Sequence, residues 1–229
     1  MGLVKIWDKE IKGNLYTVGD LHGCFNLLMN RLNDIGFYFD NDLLVALGDL
    51  VDRGPQNLEC IELLSKPWFT SIRGNHEDLC IGGMSDQSFK RCHISNGGEW
   101  FYDLDEMAQY NIANTFAQLP VVIEINHHGK KYGFVHGHIE QNDWEEFKQT
   151  FISLNQFRSA QDLAMWGRNW IDTDNPKYKH VTGIDSVIMG HTVVLKPFKR
   201  DNCYFIDTGA VHYGNLTILK LVNGVGERV

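Results

Sequence analysis

The sequence has little of what secreted or membrane-spanning proteins depend on. Its five cysteines are an odd number without a Cys-x-x-Cys pair, so we expect neither a disulfide framework nor a zinc knuckle. No apolar run approaches the roughly 20 residues that cross a bilayer. The opening residues MGLVKIWDKE contain no apolar signal segment. These absences predict a protein of the reducing cytoplasm with no membrane partner.

Positive charge is also scarce, because 21 Lys and Arg face 29 Asp and Glu, for a net charge of -8. An acidic chain is poorly suited to binding the phosphate backbone of nucleic acid, so we expect no stable nucleic-acid partner. A small anionic substrate would need a local source of positive charge. The 229 residues contain no low-complexity segment or internal repeat, which predicts a single domain over residues 1–229.

One pattern does recur along the chain: a short apolar run, then a turn that carries Asp, Asn or His. Each run has the length and composition of a β-strand. The five examples are LYTVGDLHG, LLVALGDLVDRG, WFTSIRGNHE, YGFVHGHIE and SVIMGHTVV.

Helical patterns separate the first three runs. CFNLLMNRLNDIGF places its apolar residues on one helical face, and so does PQNLECIELLSKP, which begins at Pro55. The first half therefore reads β-α-β-α-β, an α/β fold class with largely parallel strands. Parallel strands end at one edge of a sheet, so the polar residues behind each run should converge there. Residues 84–112 and 140–170 predict further helices and loops, the latter with Trp144, Phe147, Phe151 and Leu154 on one face.

The residues expected to converge form a set of two carboxylates, three imidazoles and one amide. They are Asp20, His22, Asp49, Asn75, His136 and His191. Six ligands are too many for one tetrahedral zinc, but they suit two divalent ions that share a carboxylate. Asp49 is the natural bridge because it follows the central run. Mixed nitrogen and oxygen ligands favour Mn, Fe or Zn over Mg or Ca. Hydroxide bridging the two ions would attack a phosphomonoester in line with the leaving oxygen.

Four more residues have the chemistry to assist that attack. His76 is suited to protonate an alkoxide leaving group as general acid, and Asp52 to orient its imidazole. Arg53 and Arg168 can grip phosphate oxygens in forked geometry. We also expect Asn75 and His76 to contact substrate. The role of His138 stays open between metal ligand and lining residue. The remaining histidines follow no strand and glycine, which predicts structural roles for His93, His127, His128, His180 and His212.

The motifs GDLHG, GDLVDRG and RGNHE, with HG and GHT behind them, resemble the phosphoprotein phosphatase family of metallophosphatases. The resemblance covers nearly the whole chain and is strongest to the short bacterial and phage members, including the lambda phage enzyme. It implies a calcineurin-like fold, a β-sandwich flanked by helices with the site at the strand C-terminal ends. It also implies a metal-dependent serine/threonine phosphatase acting on phosphorylated proteins or peptides in a bacterial or phage-infected cell, with some action on phosphotyrosine.

The resemblance further implies manganese and a division of the ligands between two ions. The first ion would be bound by Asp20, His22 and Asp49, and the second by Asp49, Asn75, His136 and His191. Asp52 and His76 would form the acid pair, with Arg53 and Arg168 on the phosphate. The chain departs from eukaryotic members at His138, where they usually have glycine. It also lacks their longer C-terminal loop, so no regulatory subunit is expected.

Particular residues distinguish this reading from three rival functions. A symmetrical dinucleoside tetraphosphate hydrolase tends to have Ala in place of Asp52 and Asp in place of Glu77. Related phosphodiesterases and nucleases commonly end with Gly-His-x-His, whereas Val193 follows GHT here. An inactive phosphoprotein-binding module would retain costly unpaired carboxylates without need. Each comparison favours the phosphomonoesterase.

Overall fold

Apolar runs of strand length build two sheets that pack face to face. The computed structural model describes residues 2–152, 157–171 and 177–229. In these residues the strands are β1 (Val4–Ile6), β2 (Leu15–Val18), β3 (Leu43–Ala46), β4 (Phe69–Ser71), β5 (Val122–His127), β6 (Lys130–Val135), β7 (Ser186–Met189), β8 (Phe198–Arg200), β9 (Cys203–Phe205), β10 (Ile218–Val222) and β11 (Val225–Arg228).

The first sheet has the order β11-β10-β2-β3-β4. Strands β2, β3 and β4 run parallel, with Val18 opposite Ala46 and Ala46 opposite Ser71. One helix lies between β2 and β3 in sequence and another between β3 and β4, as βαβ units require. The β-α-β-α-β prediction for the first half is therefore confirmed.

The second sheet has the order β1-β5-β6-β7-β9-β8. Strands β6, β7 and β9 are parallel, while β5 and β6 form an antiparallel pair joined by a tight turn. The apolar runs alone did not indicate that these strands form a separate sheet. The family resemblance did imply a β-sandwich flanked by helices, and that prediction is confirmed.

The helices cover the outer faces of the two sheets. They are α1 (Phe25–Asp34), α2 (Asn57–Glu62), α3 (Asn75–Gly83), α4 (Gln87–Ser95), α5 (Glu99–Tyr102), α6 (Glu106–Ala117), α7 (Trp144–Thr150), α8 (Phe157–Trp166) and α9 (Ala210–Tyr213). The helices predicted within residues 84–112 and 140–170 are present as α4 to α8. Leu154, predicted on the apolar face of the second segment, lies outside the described residues. None of the described helices combines the length and apolar character that crossing a membrane would require.

Three apolar clusters hold these layers together. The central cluster lies between the sheets, where Leu15 and Val45 of the first sheet meet Phe134 and Ile188 of the second. A second cluster joins the first sheet to α1, α2 and α6, and a third joins the second sheet to α7 and α8. Burial on both faces keeps the strand ends fixed in space, and the polar turns follow from those ends.

We expect Phe134→Ala to lower the free energy of unfolding by about 3–5 kcal/mol, because it leaves a cavity between the two sheets. The side chain is fully buried in the central cluster. Urea unfolding followed by circular dichroism measures the loss. Val193→Ala is the matched control, since Val193 is 40 % exposed, and it should change the free energy by less than about 0.5 kcal/mol. Equal losses in the two variants would contradict this account of the core.

Candidate active site

Five turns at one edge of the sandwich bring the six predicted ligands together. Asp20 and His22 follow β2, Asp49 follows β3, and Asn75 opens α3 behind β4. From the second sheet, His136 follows β6 and His191 follows β7. All six are buried. The convergence expected from parallel strands is thus present, and both sheets contribute to it.

Asp49 lies at the centre of the site. Its Oδ2 is 3.3 Å from Nε2 of His136, 3.7 Å from Nε2 of His22 and 3.9 Å from Nε2 of His76. Two buried groups able to hold a metal ion share it: one with His22 and His76, the other with His136 and His191. A shared carboxylate between two clusters is the arrangement proposed for the bridge.

Asp20 is buried beside these two groups but belongs to neither of them. Both of its carboxylate oxygens accept the backbone N–H of His191 at 3.1 Å. The side chain therefore ties the turn after β2 to the turn after β7. In the cluster with His22 and Asp49, the third member is His76 and not the predicted Asp20.

The ligand imidazoles are held from behind by backbone carbonyls. Nδ1 of His22 donates to Val51 O at 2.8 Å, and Nδ1 of His136 donates to Leu47 O at 2.6 Å. Nε2 of His191 donates to Trp166 O at 3.2 Å. A carbonyl can only accept, so the outer nitrogen of each ring carries a proton, and the inner nitrogen presents a lone pair whenever the ring is neutral. Metal-binding histidines have this arrangement.

The side-chain atoms that point into the site are mostly hydrogen-bond acceptors, and they face one another. Nε2 of His136 is 2.9 Å from Asn75 Oδ1 as well as 3.3 Å from Asp49. Burial alone would lower the pKa of His136, but Asp49 and Asp20 raise it to about 10. Burial and the neighbouring Asp207 raise the pKa of Asp20 well above its usual range. The site therefore requires positive charge, which a proton on His136 or a divalent cation supplies.

The other two ligand imidazoles are neutral. Burial is the main cause that lowers the pKa of His22 to about 3. Burial and then His136 lower the pKa of His191 to about 3 as well. Neutral imidazoles with inward lone pairs are ready to bind metal. Two mixed nitrogen and oxygen clusters around a shared carboxylate thus fit a pair of divalent ions.

His76 and Asp52 form a buried pair next to Asp49. Nδ1 of His76 donates to Asp52 Oδ2 at 2.6 Å, which turns its Nε2 toward Asp49. Burial opposes ionisation of Asp52, but hydrogen bonds from His76 and His93 keep its pKa below the usual range. A carboxylate behind an imidazole is the geometry that orients a catalytic histidine.

Two further residues, neither of them predicted to lie in the site, bind Asp52. Nε2 of His93, predicted to be a structural residue, is 2.9 Å from Asp52 Oδ2, and Nε1 of Trp100 donates to Oδ1 at 2.7 Å. The glycine pair in SNGGEW was the one available signal. The backbone carbonyl of Gly97 accepts the N–H of Arg53 at 3.1 Å, so this segment borders the site.

One exposed arginine lies beside each cluster. Nη1 of Arg53 donates to Nε2 of His22 at 2.5 Å. Nη1 of Arg168 donates to Thr192 Oγ1 at 3.1 Å, next to His191. Both arginines are exposed, so an anion in solvent can reach their guanidinium groups. They supply the local positive charge that the acidic chain otherwise lacks.

Most of the other histidines make contacts apart from these clusters. Nε2 of His138 faces Glu140 Oε2 at 3.0 Å, so its described contact is to a carboxylate and not to the ligand set. His180 pairs with Asp201, and His127 packs against His128.

The backbone of the site adopts an unfavourable conformation. Five of the eight non-glycine residues with positive φ in the described chain belong to the predicted site: His22, Asp49, Asp52, Arg53 and His191. Each such residue costs on the order of 1–3 kcal/mol and persists only where its surroundings fix it. Such strain is concentrated at functional sites.

Glu77 is one residue that fixes these turns. Its fully buried carboxylate accepts the backbone N–H groups of Asp49 at 2.9 Å, Leu50 at 2.8 Å and Gly74 at 2.8 Å. It thereby joins the turn after β3 to the start of α3. Sequence reasoning used Glu77 to distinguish families and missed this role.

Residues 14–195 match the model of the calcineurin-like phosphoesterase family, and the chain belongs to that family. Membership confirms the predicted metallophosphatase class and implies divalent metal ions.

Two curated relatives illustrate the range of the family. The chain is 33 % identical to serine/threonine-protein phosphatase 2 of Salmonella typhimurium over 227 residues, which cover 96 % of this chain and 100 % of that protein. It is 27 % identical to the asymmetrical bis(5'-nucleosyl)-tetraphosphatase of Anoxybacillus flavithermus, over 89 % of this chain and 88 % of the relative.

Solved structures show the same fold at lower identity. A proposed diadenosine tetraphosphatase matches with a TM-score of 0.68 at 19 % identity, over 99 % of this chain and 96 % of that one. A serine/threonine phosphatase from Saccharomyces cerevisiae matches with a TM-score of 0.66 at 18 % identity, over 97 % and 76 %. At such identities the likeness establishes the fold alone.

We expect Mn²⁺ to stabilise the protein and Asp49→Asn to remove that effect, because Asp49 belongs to both clusters. At a concentration about 100 times Kd, a single bound ion raises the free energy of unfolding by about 2.7 kcal/mol. Thermal unfolding with and without Mn²⁺ measures the change, and elemental analysis counts the ions. Asp185→Asn, which alters a surface carboxylate paired with Lys130, should retain the full shift. Unchanged metal content in Asp49→Asn would contradict the bridge.

Proposed function

We propose that the chain is a metal-dependent serine/threonine protein phosphatase that hydrolyses phosphomonoesters and acts on phosphotyrosine to a lesser extent. The observation that carries the proposal is the His76 imidazole, held by Asp52 at 2.6 Å and directed at Asp49 at the centre of the metal-binding clusters. The serine/threonine phosphatase relative supports it, because the match extends over its whole length.

The metal set follows the residues that converge. We assign the first ion to Asp20, His22 and Asp49, with His76 kept as the proton donor and not as a ligand, and the second ion to Asp49, Asn75, His136 and His191. We propose manganese, since mixed nitrogen and oxygen ligands suit it. When bound, two such ions would supply Lewis acidity and activate water for attack on phosphorus.

The protein's own groups then bind the phosphate and supply the proton. We assign to Arg53 and Arg168, which lie one beside each cluster, forked hydrogen bonds to the non-bridging phosphate oxygens. Asn75 and His76 complete the contacts with the substrate. His76 gives its Nε2 proton to the leaving oxygen, while Asp52 keeps the imidazole oriented and compensates its charge.

The expected partners are phosphorylated proteins or peptides, with no regulatory subunit and no nucleic acid. We propose that residues 1–229 act as one domain in the cytoplasm. The second candidate function is hydrolysis of dinucleoside tetraphosphates. It is favoured by the tetraphosphatase relative, which matches over 88 % of its length at 27 % identity.

A rate comparison separates the two functions. With added Mn²⁺, we expect kcat/KM for a phosphoserine peptide to exceed that for a dinucleoside tetraphosphate by about tenfold or more, equal to about 1.4 kcal/mol in the transition state. A phosphotyrosine peptide should fall between them. Colorimetric phosphate release serves for the peptides, and chromatography of nucleotide products serves for the tetraphosphate. Preference for the tetraphosphate would replace the proposal with the alternative.

We expect His76→Asn to lower kcat on a phosphoserine peptide by about 10²–10⁴-fold, because the alkoxide loses its proton donor. The loss on p-nitrophenyl phosphate should be much smaller, since p-nitrophenolate leaves without a proton. Steady-state kinetics on both substrates measures the difference. His128→Asn is the control, an exposed histidine in a turn with positive φ, where Asn is well tolerated. Equal losses on both substrates would remove His76 from the acid role.

A further inference from the structure

A group of polar side chains, buried at His93 and half-buried at Trp100 and Tyr102, lies behind the acid pair. It consists of His93 on α4 and Trp100 and Tyr102 on α5, and all three connect to Asp52 directly or through His93. We propose that His93 is a positioning residue for His76: it fixes the Asp52 carboxylate and touches no substrate. This inference rests on the proposed function, because it concerns the acid step of that reaction.

The hydrogen bonds at Asp52 account for both of its oxygens. Oδ2 receives His76 Nδ1 at 2.6 Å and His93 Nε2 at 2.9 Å. Oδ1 receives Trp100 Nε1 at 2.7 Å and lies 3.1 Å from the same nitrogen of His93. The His93 N–H therefore spans the two oxygens, while the other two donors take one each. A carboxylate held at both oxygens cannot rotate away from His76.

Tyr102 sets the direction of the His93 ring. Its hydroxyl lies 3.0 Å from Nδ1 of His93. With the Nε2 proton donated to Asp52, a neutral ring offers Nδ1 as the acceptor for this hydroxyl. The two contacts lie on opposite sides of the ring, so they prevent both a flip and a tilt. His93 itself is fully buried, which excludes competing water.

Two glycines make room for this arrangement. A Cβ at Gly98 would collide with the imidazole of His93, and a Cβ at Gly83 would collide with the hydroxyl of Tyr102. The backbone approaches both side chains as closely as a residue without a side chain permits. His93 and Tyr102 therefore fit in their positions only because the residues next to them are glycines.

A metal site is the competing account of this cluster. Ligand atoms of Asp52, Cys80 and His93 lie within 4.8 Å of one another. However, the carboxylate already accepts three N–H donors. Burial also raises the pKa of the Cys80 thiol well above its usual range, and the thiolate is the form that binds metal. Hydrogen bonding therefore explains the geometry better than coordination does.

Loss of His93 should affect the proton-transfer step more than the attack on phosphorus. Without it, Asp52 keeps a single donor on Oδ1 and can turn away from Nδ1 of His76. A phosphoserine substrate depends on that imidazole for a proton, whereas p-nitrophenyl phosphate does not. A positioning role should therefore lower kcat on the phosphoserine substrate alone, which has the poor leaving group, and leave KM unchanged.

The experiment compares four variants on the two substrates with added Mn²⁺. His93→Leu removes the hydrogen bonds of the ring to Asp52 and Tyr102 and its 3.4 Å contact with Cys80 Sγ. It should lower kcat on the phosphoserine peptide by about 10–100-fold, the loss typical when a hydrogen-bond partner of a metal ligand is removed. His93→Gln offers an N–H and a carbonyl and should recover most of that loss. Tyr102→Phe should give a smaller loss with the same selectivity. His127→Leu removes a buried imidazole elsewhere and should leave the ratio of the two rates unchanged.

Several outcomes would overturn the positioning role. These are equal losses on both substrates in folded His93→Leu, no recovery in His93→Gln, and the same selectivity in His127→Leu. If circular dichroism shows that His93→Leu does not fold, Tyr102→Phe decides. A loss confined to the phosphoserine peptide then supports the role, and an unchanged or equal loss overturns it. A wild-type protein inactive on both substrates would instead defeat the proposed function itself.

Discussion

The site depends on one electrostatic constraint: buried acceptor atoms face each other and need a positive charge between them. The Asp49 carboxylate, the Asn75 amide oxygen and Nε2 of His136 lie within 2.9 to 3.3 Å of their neighbours. The imidazole cannot turn away, because its outer nitrogen is bound to Leu47 O. A buried charge left unpaired is strongly disfavoured. The need for a positive charge at this point, from a proton or a metal ion, is therefore a consequence of how the protein folds.

The rest of the structure keeps those acceptors from separating. Both sheets contribute turns to the site, so the core between the sheets holds the ligands of one sheet against those of the other. Glu77 fixes two of these turns by accepting three backbone N–H groups. The positive φ angles of His22, Asp49 and His191 persist because these contacts compensate their cost. Stability and binding capacity thus rest on the same contacts.

Much of this arrangement could be predicted from the sequence, because it depends on local pattern. The strands, the helices between them and the polar turns are local signals, and parallel strands bring the turns to one edge. The second sheet was not evident from periodicity, since strand pairing depends on contacts distant along the chain. His93 was assigned a structural role for the same reason. It lies 41 residues from Asp52, and no strand with a following glycine precedes it.

The hydrogen-bond network around Asp52 bears on which phosphate ester the site is built to cleave. A nucleotide leaving group departs as a stabilised phosphate anion and needs little help from an acid, whereas a serine or threonine alkoxide needs a proton. Here the buried Asp52 accepts hydrogen bonds from His76 and His93, which are also buried, and from the half-buried Trp100, and these contacts orient one imidazole. Burying so many polar groups is disfavoured unless each finds a partner, and here each does. An elaborate proton donor is of use mainly for a poor leaving group, which favours the alkyl phosphomonoester over the tetraphosphate.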